Sequence, residues 1–574
     1  MSITVETAHT HEKDPAVLCC LRKKGTVISP ADLEDPDIFP DLEESGLLTL
    51  TNDSLTIGQV LGATLTEDAD AMTPLTPKIV AHYAAPQTAK PKSVQHPNEF
   101  VASSTQKNTI KFNITELKGE IELPTHLIST AIAATPAERI VGKPDKKTVL
   151  RTLTQRTFPV NDIRLGSETH FENGVLTVRE ALCKESLPAD PLVKKVEMDV
   201  IRPNQRHIYS NTIMDVIPIA TKTEGILGEG VTHIMKGIVV ILTGTDEKGI
   251  QTHEFGSCEG YLDEKIRYGR PGCPDPDDIL LRVNVTIQAN TGMERRGPYA
   301  AHKACDRIIQ EIREQLKKTL PETCANEQVY YDWKKPNRPR VVLVKEIMGQ
   351  GAMHDNVLLP IEPAGVKGGR RNVDLGNVPV MLSANEVRDG GIHSLTCVGP
   401  ATKETTRHYF REPLVQLMAD DDEVELVGVI FIGSPQVNDE KSYVSARLGA
   451  LVEAINVDGA IVTTEGFGNN HIDFAENIEQ IGKRNIKVVG VSFCAYQGQL
   501  VVGNKYMDAM VELNKDPEGF ENEILCESTL CPQDAARALL MLKAKMAGVS
   551  IQPAERKWSQ HVVEANQALV ENQR

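Results

Sequence analysis

The chain has 574 residues, of which 40% are hydrophobic and only 4% aromatic, and it carries a net charge of −17 with an isoelectric point near 5.5. That length suggests roughly three or four domains, and so acidic a surface, with no single-sign tail, repels phosphate backbones and anionic lipid, which excludes nucleic acid as a partner. The opening MSITVETAHTHEKD lacks the basic start and apolar run of a signal peptide, and the apolar stretch Leu426–Ile432 is far too short to span a bilayer, so a cytoplasmic protein is expected.

The expected fold is multidomain, α/β plus β. Residues 1–77 carry short alternating runs (Gly25–Ile28, Leu48–Thr51, Leu55–Gly62) punctuated by Gly and Asp-Pro, which predict a small N-terminal β domain. Gly58-Gln-Val-Leu-Gly62 resembles a turn of barrel-sandwich domains of the biotinyl/lipoyl type, and also the N-terminal part of a subunit of ion-pumping ferredoxin:NAD oxidoreductases. No exposed lysine hairpin for a carried biotin or lipoate is present, so the segment reads as a barrel-sandwich-like docking module; the second resemblance raises a membrane electron carrier as its target. Residues 78–108, rich in Pro, Ala, Gln, Ser and Lys, have linker composition.

Residues 109–396 are expected to form a β-rich middle domain, with strand candidates Ile110–Ile114, Val175–Val178, Lys236–Thr243, Ile279–Ile287 and Val341–Val344. One helix is predicted after Pro298, with Ile308, Ile309, Ile312 and Leu316 on one face, a Glu314–Lys318 pair on its surface and Pro321 as its stop. Residues 397–574 alternate strand and helix: the run from Leu426, a helix through Val444–Ile455, a strand from Gly459, a helix bearing Phe474, Ile478 and Ile481, a strand from Lys487 and a final helix over Gln533–Met546. That order predicts a C-terminal doubly wound parallel α/β domain. Ligands in such sheets bind beyond the carboxyl ends of the strands, here Gly433–Gln436, Glu465–His471 and Cys494–Gln497.

The eleven cysteines show no paired CxxC spacing, so no metal is expected and most should be buried free thiols. Cys397 is set apart by its place. It lies where the β-rich part meets the α/β part, in Gly390-Gly-Ile-His-Ser-Leu-Thr-Cys-Val-Gly399. A thiol can attack its own preceding carbonyl and shift the acyl group from nitrogen to sulfur. Glycines at 390, 391 and 399 permit the strained backbone this needs, and His393 is the candidate acid or base. Elimination across the Cα–Cβ bond then frees Thr396 as a new C-terminus and leaves dehydroalanine, which tautomerises and hydrolyses to a pyruvoyl cap. On the residues alone a buried structural cysteine is the ordinary reading.

The chain resembles the D-proline reductase proprotein family, and from Cys397 onward the substrate subunits of glycine, sarcosine and betaine reductases. The resemblance rests on Ser394–Gly399, Lys403–His408, Thr464–Asn469, Gly349–Asp355 and Leu33–Phe39. It implies that Cys397 becomes the pyruvoyl group, Thr396 ends the upstream fragment, and the two fragments stay associated. It also implies reductive ring opening of D-proline to 5-aminovalerate, with a separate selenocysteine-containing subunit as reductant in a hetero-oligomer. Glu465 and Asn469, at a predicted strand end, are candidates for a substrate cation and carboxylate, and Arg407 for the carboxylate, against readings as a turn and a surface ion pair. His408 and His471 read as ordinary hydrogen-bonded histidines. Two alternatives stay open: the same chemistry on sarcosine, betaine, glycine or hydroxyproline, and an uncleaved, non-catalytic assembly paralogue.

Overall fold

The computed structural model describes, apart from short breaks, residues 3–83, 147–250, 258–289, 296–347, 377–394, 404–494 and 500–551. The strand candidate Ile110–Ile114, the stretch Gly349–Asp355, and Thr396 and Cys397 lie outside the described residues.

The N-terminal unit has its own core, including Leu18, Ile28, Leu33, Ile57, Val60 and Leu75. Its only named strands among the described residues are Thr64–Leu65 and Val80–Ala81, paired antiparallel; the rest of its pairing is isolated bridges such as Val17 with Pro74. Residues 78–83, expected in a linker, therefore belong to this unit. The run from Leu55, expected as a strand, instead contains the helix Ile57–Val60. Thr56 caps it, its backbone N–H donating to the Gln59 side chain at 2.8 Å, and Gly62 at φ +81° turns the chain away.

The middle part holds β1 (Thr148–Pro159), β2 (Val193–Ile201), β3 (Ile213–Ile217), β4 (Ala220–Glu224), β5 (Gly230–Lys236), β6 (Ile238–Asp246), β7 (Ile279–Ile287), the helix α1 (Arg296–Lys317) and β8 (Asn326–Lys334). They form two four-stranded sheets, β4-β5-β1-β8 and β2-β7-β6-β3. The single strand expected over Lys236–Thr243 is split between them. Gly237, at φ +86°, makes the turn, and a Cβ there would lie 2.5 Å from the Val160 carbonyl, so only glycine fits. Helix α1 buries Ile308, Ile309, Ile312 and Leu316 as its spacing predicts; it stops at Lys317, and Glu314 pairs with Lys317 rather than Lys318.

The second part contains β9 (Arg340–Ile347), β10 (Val380–Leu382), α2 (Ala384–Arg388), α3 (Thr406–Phe410), α4 (Pro413–Asp420), β11 (Glu425–Gly433), α5 (Asn438–Ala454), β12 (Gly459–Thr464), α6 (Asn470–Gly482), β13 (Lys487–Ser492), β14 (Met510–Glu512) and α7 (Pro532–Met546). Its six-stranded sheet runs β10-β11-β9-β12-β13-β14, parallel but for the edge strand β10. Helices α4 and α7 pack with one core and α5 and α6 with another, on opposite faces.

The placement of β9 departs from expectation. Val341–Val344 reads from sequence as part of the β-rich half, yet β9 is parallel to β11 on one side and to β12 on the other. Continuous apolar character is the mark of a parallel strand covered on both faces, and Val341-Val-Leu-Val344 carries it as plainly as β11 does. Strand alternation then sorts its side chains. Val341, Leu343 and Ile347 join the core of α4 and α7, and Val342 and Val344 join that of α5 and α6. A domain boundary at 396/397 would therefore cut through a sheet. Among the described residues no helix is long and apolar enough to cross a membrane.

Asp389, at the end of α2, ties this part to the middle sheets. Its carboxylate pairs with Lys222 and accepts from the Gly228 N–H at 2.8 Å and the Thr232 hydroxyl at 2.5 Å; Lys222 and Asp389 are both fully buried. Removing the ammonium leaves a buried charge without its partner. Lys222→Ala is expected to lower stability by about 3–5 kcal/mol, read from the denaturation midpoint, whereas Lys222→Met combined with Asp389→Leu should lose far less.

Candidate active site

The described chain stops at Ser394 and resumes at Glu404, and the two ends meet. The Ser394 N–H donates to the Thr406 hydroxyl at 3.0 Å, where α3 packs against β3 of the middle part. Thr405 starts α3: its hydroxyl oxygen accepts from the His408 N–H at 3.1 Å while donating to the Gly272 carbonyl at 2.7 Å.

Four charged groups sit at the end of β9. Lys345 Nζ lies 2.9 Å from Glu404 and 3.0 Å from Glu412, and His408 Nε2 is 3.0 Å from Glu404 as an ion pair rather than an aligned hydrogen bond. Burial alone would push both carboxyl groups up; Lys345 and His408 together hold Glu404 below the usual carboxylate range and bring Glu412 down to about 2. Burial would depress His408, but Glu404 raises it to about 9. Two cations thus face two anions, which is how so many charges are tolerated without solvent. The spacing of Glu404, His408 and Glu412 could hold a metal ion, but the Lys345 ammonium already supplies the cation there.

His393 is buried, and burial, with Arg313 and His302 nearby, pushes its imidazole well below its ordinary value. It is neutral at neutral pH and so able to accept a proton. Glu465, just past β12 and almost fully buried, accepts from the Tyr409 hydroxyl and from the Glu404 N–H at 3.3 Å; burial and Glu465 push the Tyr409 phenol up. Arg407 departs from expectation. Its guanidinium donates to Asp278 at 2.7 Å and Asp275 at 2.9 Å, so the chain's own carboxylates engage it, and it is buried rather than at the surface. Asn469 stands at the start of α6 with no side-chain cap bond. His471 is buried and its Nε2 lies 2.9 Å from the Ser492 hydroxyl.

Lys345, Asp215, Tyr409, Glu412 and His302 escaped the sequence reading. Two signals were present. Glu404, His408 and Glu412 recur every four residues, one face of a helix, and Lys345-Glu346 follows the apolar run Val341–Val344. Adjacent strand residues face opposite ways, so Glu346 lies on the other face, accepting from Thr464 at 2.9 Å and Asn477 at 3.0 Å; burial, then Asp473, pushes it well up. Nothing in the sequence pairs Asp215 with α3, which is 191 residues away.

His408 titrates near 6.5 unfolded and about 9 folded, so its contribution is complete below about pH 6.5 and lost as pH rises through 9. Glu412 runs oppositely, complete above about 4.5 and lost as pH falls toward 2. Glu512, pushed up to about 7 by burial, loses its contribution as pH rises. The melting temperature is expected to fall between pH 6.5 and 9, with His408 alone worth on the order of 3 kcal/mol; His408→Gln should flatten that limb.

The sequence profile of the glycine/sarcosine/betaine reductase component B subunits matches residues 151–253 and 279–513. The match begins at residue 151, well upstream of Cys397, from which the likeness to these subunits is expected. The D-proline reductase proprotein PrdA of Acetoanaerobium sticklandii is 50% identical over 601 aligned residues, covering 100% of this chain and 96% of that protein. The glycine reductase complex component B subunits alpha and beta of Peptoclostridium acidaminophilum are 27% identical, covering 62% of this chain and 82% of that protein. The sarcosine reductase complex component B subunit alpha of the same organism is 25% identical over 58% of this chain and 76% of that protein. No solved structure matches. The chain belongs to the family of glycine/sarcosine/betaine reductase component B subunits.

Proposed function

We propose that the chain is a precursor that cuts itself between Thr396 and Cys397 and then acts as a pyruvoyl-dependent D-proline reductase, opening the ring to 5-aminovalerate. The observation that carries the substrate is where the likeness runs. Relatives from glycine and sarcosine complexes cover about three fifths of the chain, whereas the D-proline reductase proprotein covers all of it, including the N-terminal 150 residues outside the family match.

The described residues fit such a group. Neutral His393 stands three residues before Thr396 as a proton acceptor, and Lys345 and Glu465, at the join, are buried from solvent. A pyruvoyl carbonyl supplies an electron sink that turns the ring nitrogen into a leaving group. Glu465 meets the positive charge on that nitrogen and Asn469 the substrate carboxylate. Breaking the Cα–N bond takes two electrons and two protons, which a separate selenocysteine-containing subunit delivers. The assembly is a cytoplasmic hetero-oligomer, and the N-terminal unit, with its own core, is its docking module.

A denaturing gel of protein from the native host should show two bands, and the downstream fragment should have the mass of a blocked, sulfur-free N-terminus. One full-length species defeats the reading. Cys397→Ala should stay whole and inactive. Because β9 lies between β11 and β12, the fragments should co-elute without denaturant and part only on unfolding. D-proline, and not sarcosine or glycine, should be turned over.

A further inference from the structure

Asp215 on β3 is fully buried, and its carboxylate accepts three hydrogen bonds. Oδ1 accepts from the Thr406 N–H at 2.9 Å and the Val216 N–H at 2.7 Å. Oδ2 accepts from the Thr406 hydroxyl at 2.5 Å and lies 3.1 Å from His302 Nε2. His302 is held in turn, its Nδ1 donating to the Pro298 carbonyl at 2.7 Å. The Thr406 hydroxyl accepts from the Ser394 N–H, so its single proton points to Asp215.

This arrangement fixes three separate segments at one point. Ser394 and Thr406 are 12 residues apart in sequence and one hydrogen bond apart in space. A carboxylate that accepts three buried hydrogen bonds cannot rotate without breaking them, so Thr406 inherits its rigidity. We infer that Thr406, held by Asp215 and backed by His302, is a positioning residue for self-cleavage, a clasp that fixes where the chain leaves Ser394 and where it returns. The inference rests on the self-processing reading above. An intramolecular attack on a neighbouring carbonyl depends on a near-attack geometry, and displacement of the supporting backbone by about 1 Å slows such a step by up to roughly a hundredfold.

The test uses the full-length chain, with processing followed on denaturing gels and expressed per folded molecule. Thr406→Val keeps shape and branching but removes the hydroxyl; it should lengthen the processing half-time at least roughly tenfold while retaining a cooperative melt. Thr406→Ser restores the hydroxyl and should bring the half-time back to within about threefold of the parent, a rescue that a purely packing role for the side chain would not give. Should Thr406→Val fail to fold, Ser394→Pro, which deletes the N–H donor and leaves Asp215 untouched, decides the matter in the same assay. Processing of either folded variant at the parental rate overturns the clasp. Cys397→Ala, run alongside, separates the two claims. If it is cut, the self-processing reading falls; if it stays whole while Thr406→Val is cut at the parental rate, only the clasp falls.

Discussion

An ammonium group with almost no access to water dominates the architecture. Lys345 follows the run Val341-Val-Leu-Val344 near the end of β9, and an isolated charge there would be prohibitively unfavourable. It is tolerated because Glu404 and Glu412 converge on it and His408 balances the second negative charge. Three of the four groups come from one short stretch after the undescribed residues 395–403, and the fourth from β9, which precedes them. The network is therefore a join across that stretch, and α3 and α4 cannot drift from the sheet without stranding a buried charge.

The same logic recurs at two further points. Asp389 with Lys222 fixes the approach to Ser394 from the middle sheets, and Asp215 with Thr406 fixes the return. All three networks combine a carboxylate, a buried donor and a contact between segments distant in sequence. Where hydrophobic packing supplies most of the stability but little direction, these buried polar bonds set the mutual placement of the two halves.

Much of this was legible in the residues and some was not. The alternation from Leu426 to Met546 announced β11 to β13 with α5 and α6, and α7, because a parallel sheet writes continuous apolar runs between amphipathic helices; the three-residue edge strand β14 gave no such signal. Ile279–Ile287 and the α1 stripe were equally plain. Val341–Val344 was read as a strand, but periodicity says nothing about which sheet a strand joins. Gly237 hid a corner inside one apolar run. The short helix at Ile57 hid behind alternating residues because a local capping bond from Gln59 outweighed the pattern. At the site, His393 and Glu465 could be picked from position. Asp215 could not, and Arg407 stayed open between a substrate carboxylate and a surface ion pair because sequence does not reveal that Asp275 and Asp278 lie beside it.

The position of β9 also orders events in time. If residues 1–396 were removed before the sheet formed, β11 and β12 would face each other across a vacant slot, each with an unpaired edge of the kind that recruits foreign strands. Under the proposed processing, scission within 395–403 would therefore come after the sheet has closed around β9. On that proposal the polypeptide has to be made as one piece in order to function as two, and a cell that synthesised the halves independently would face a reassembly problem that the single precursor avoids.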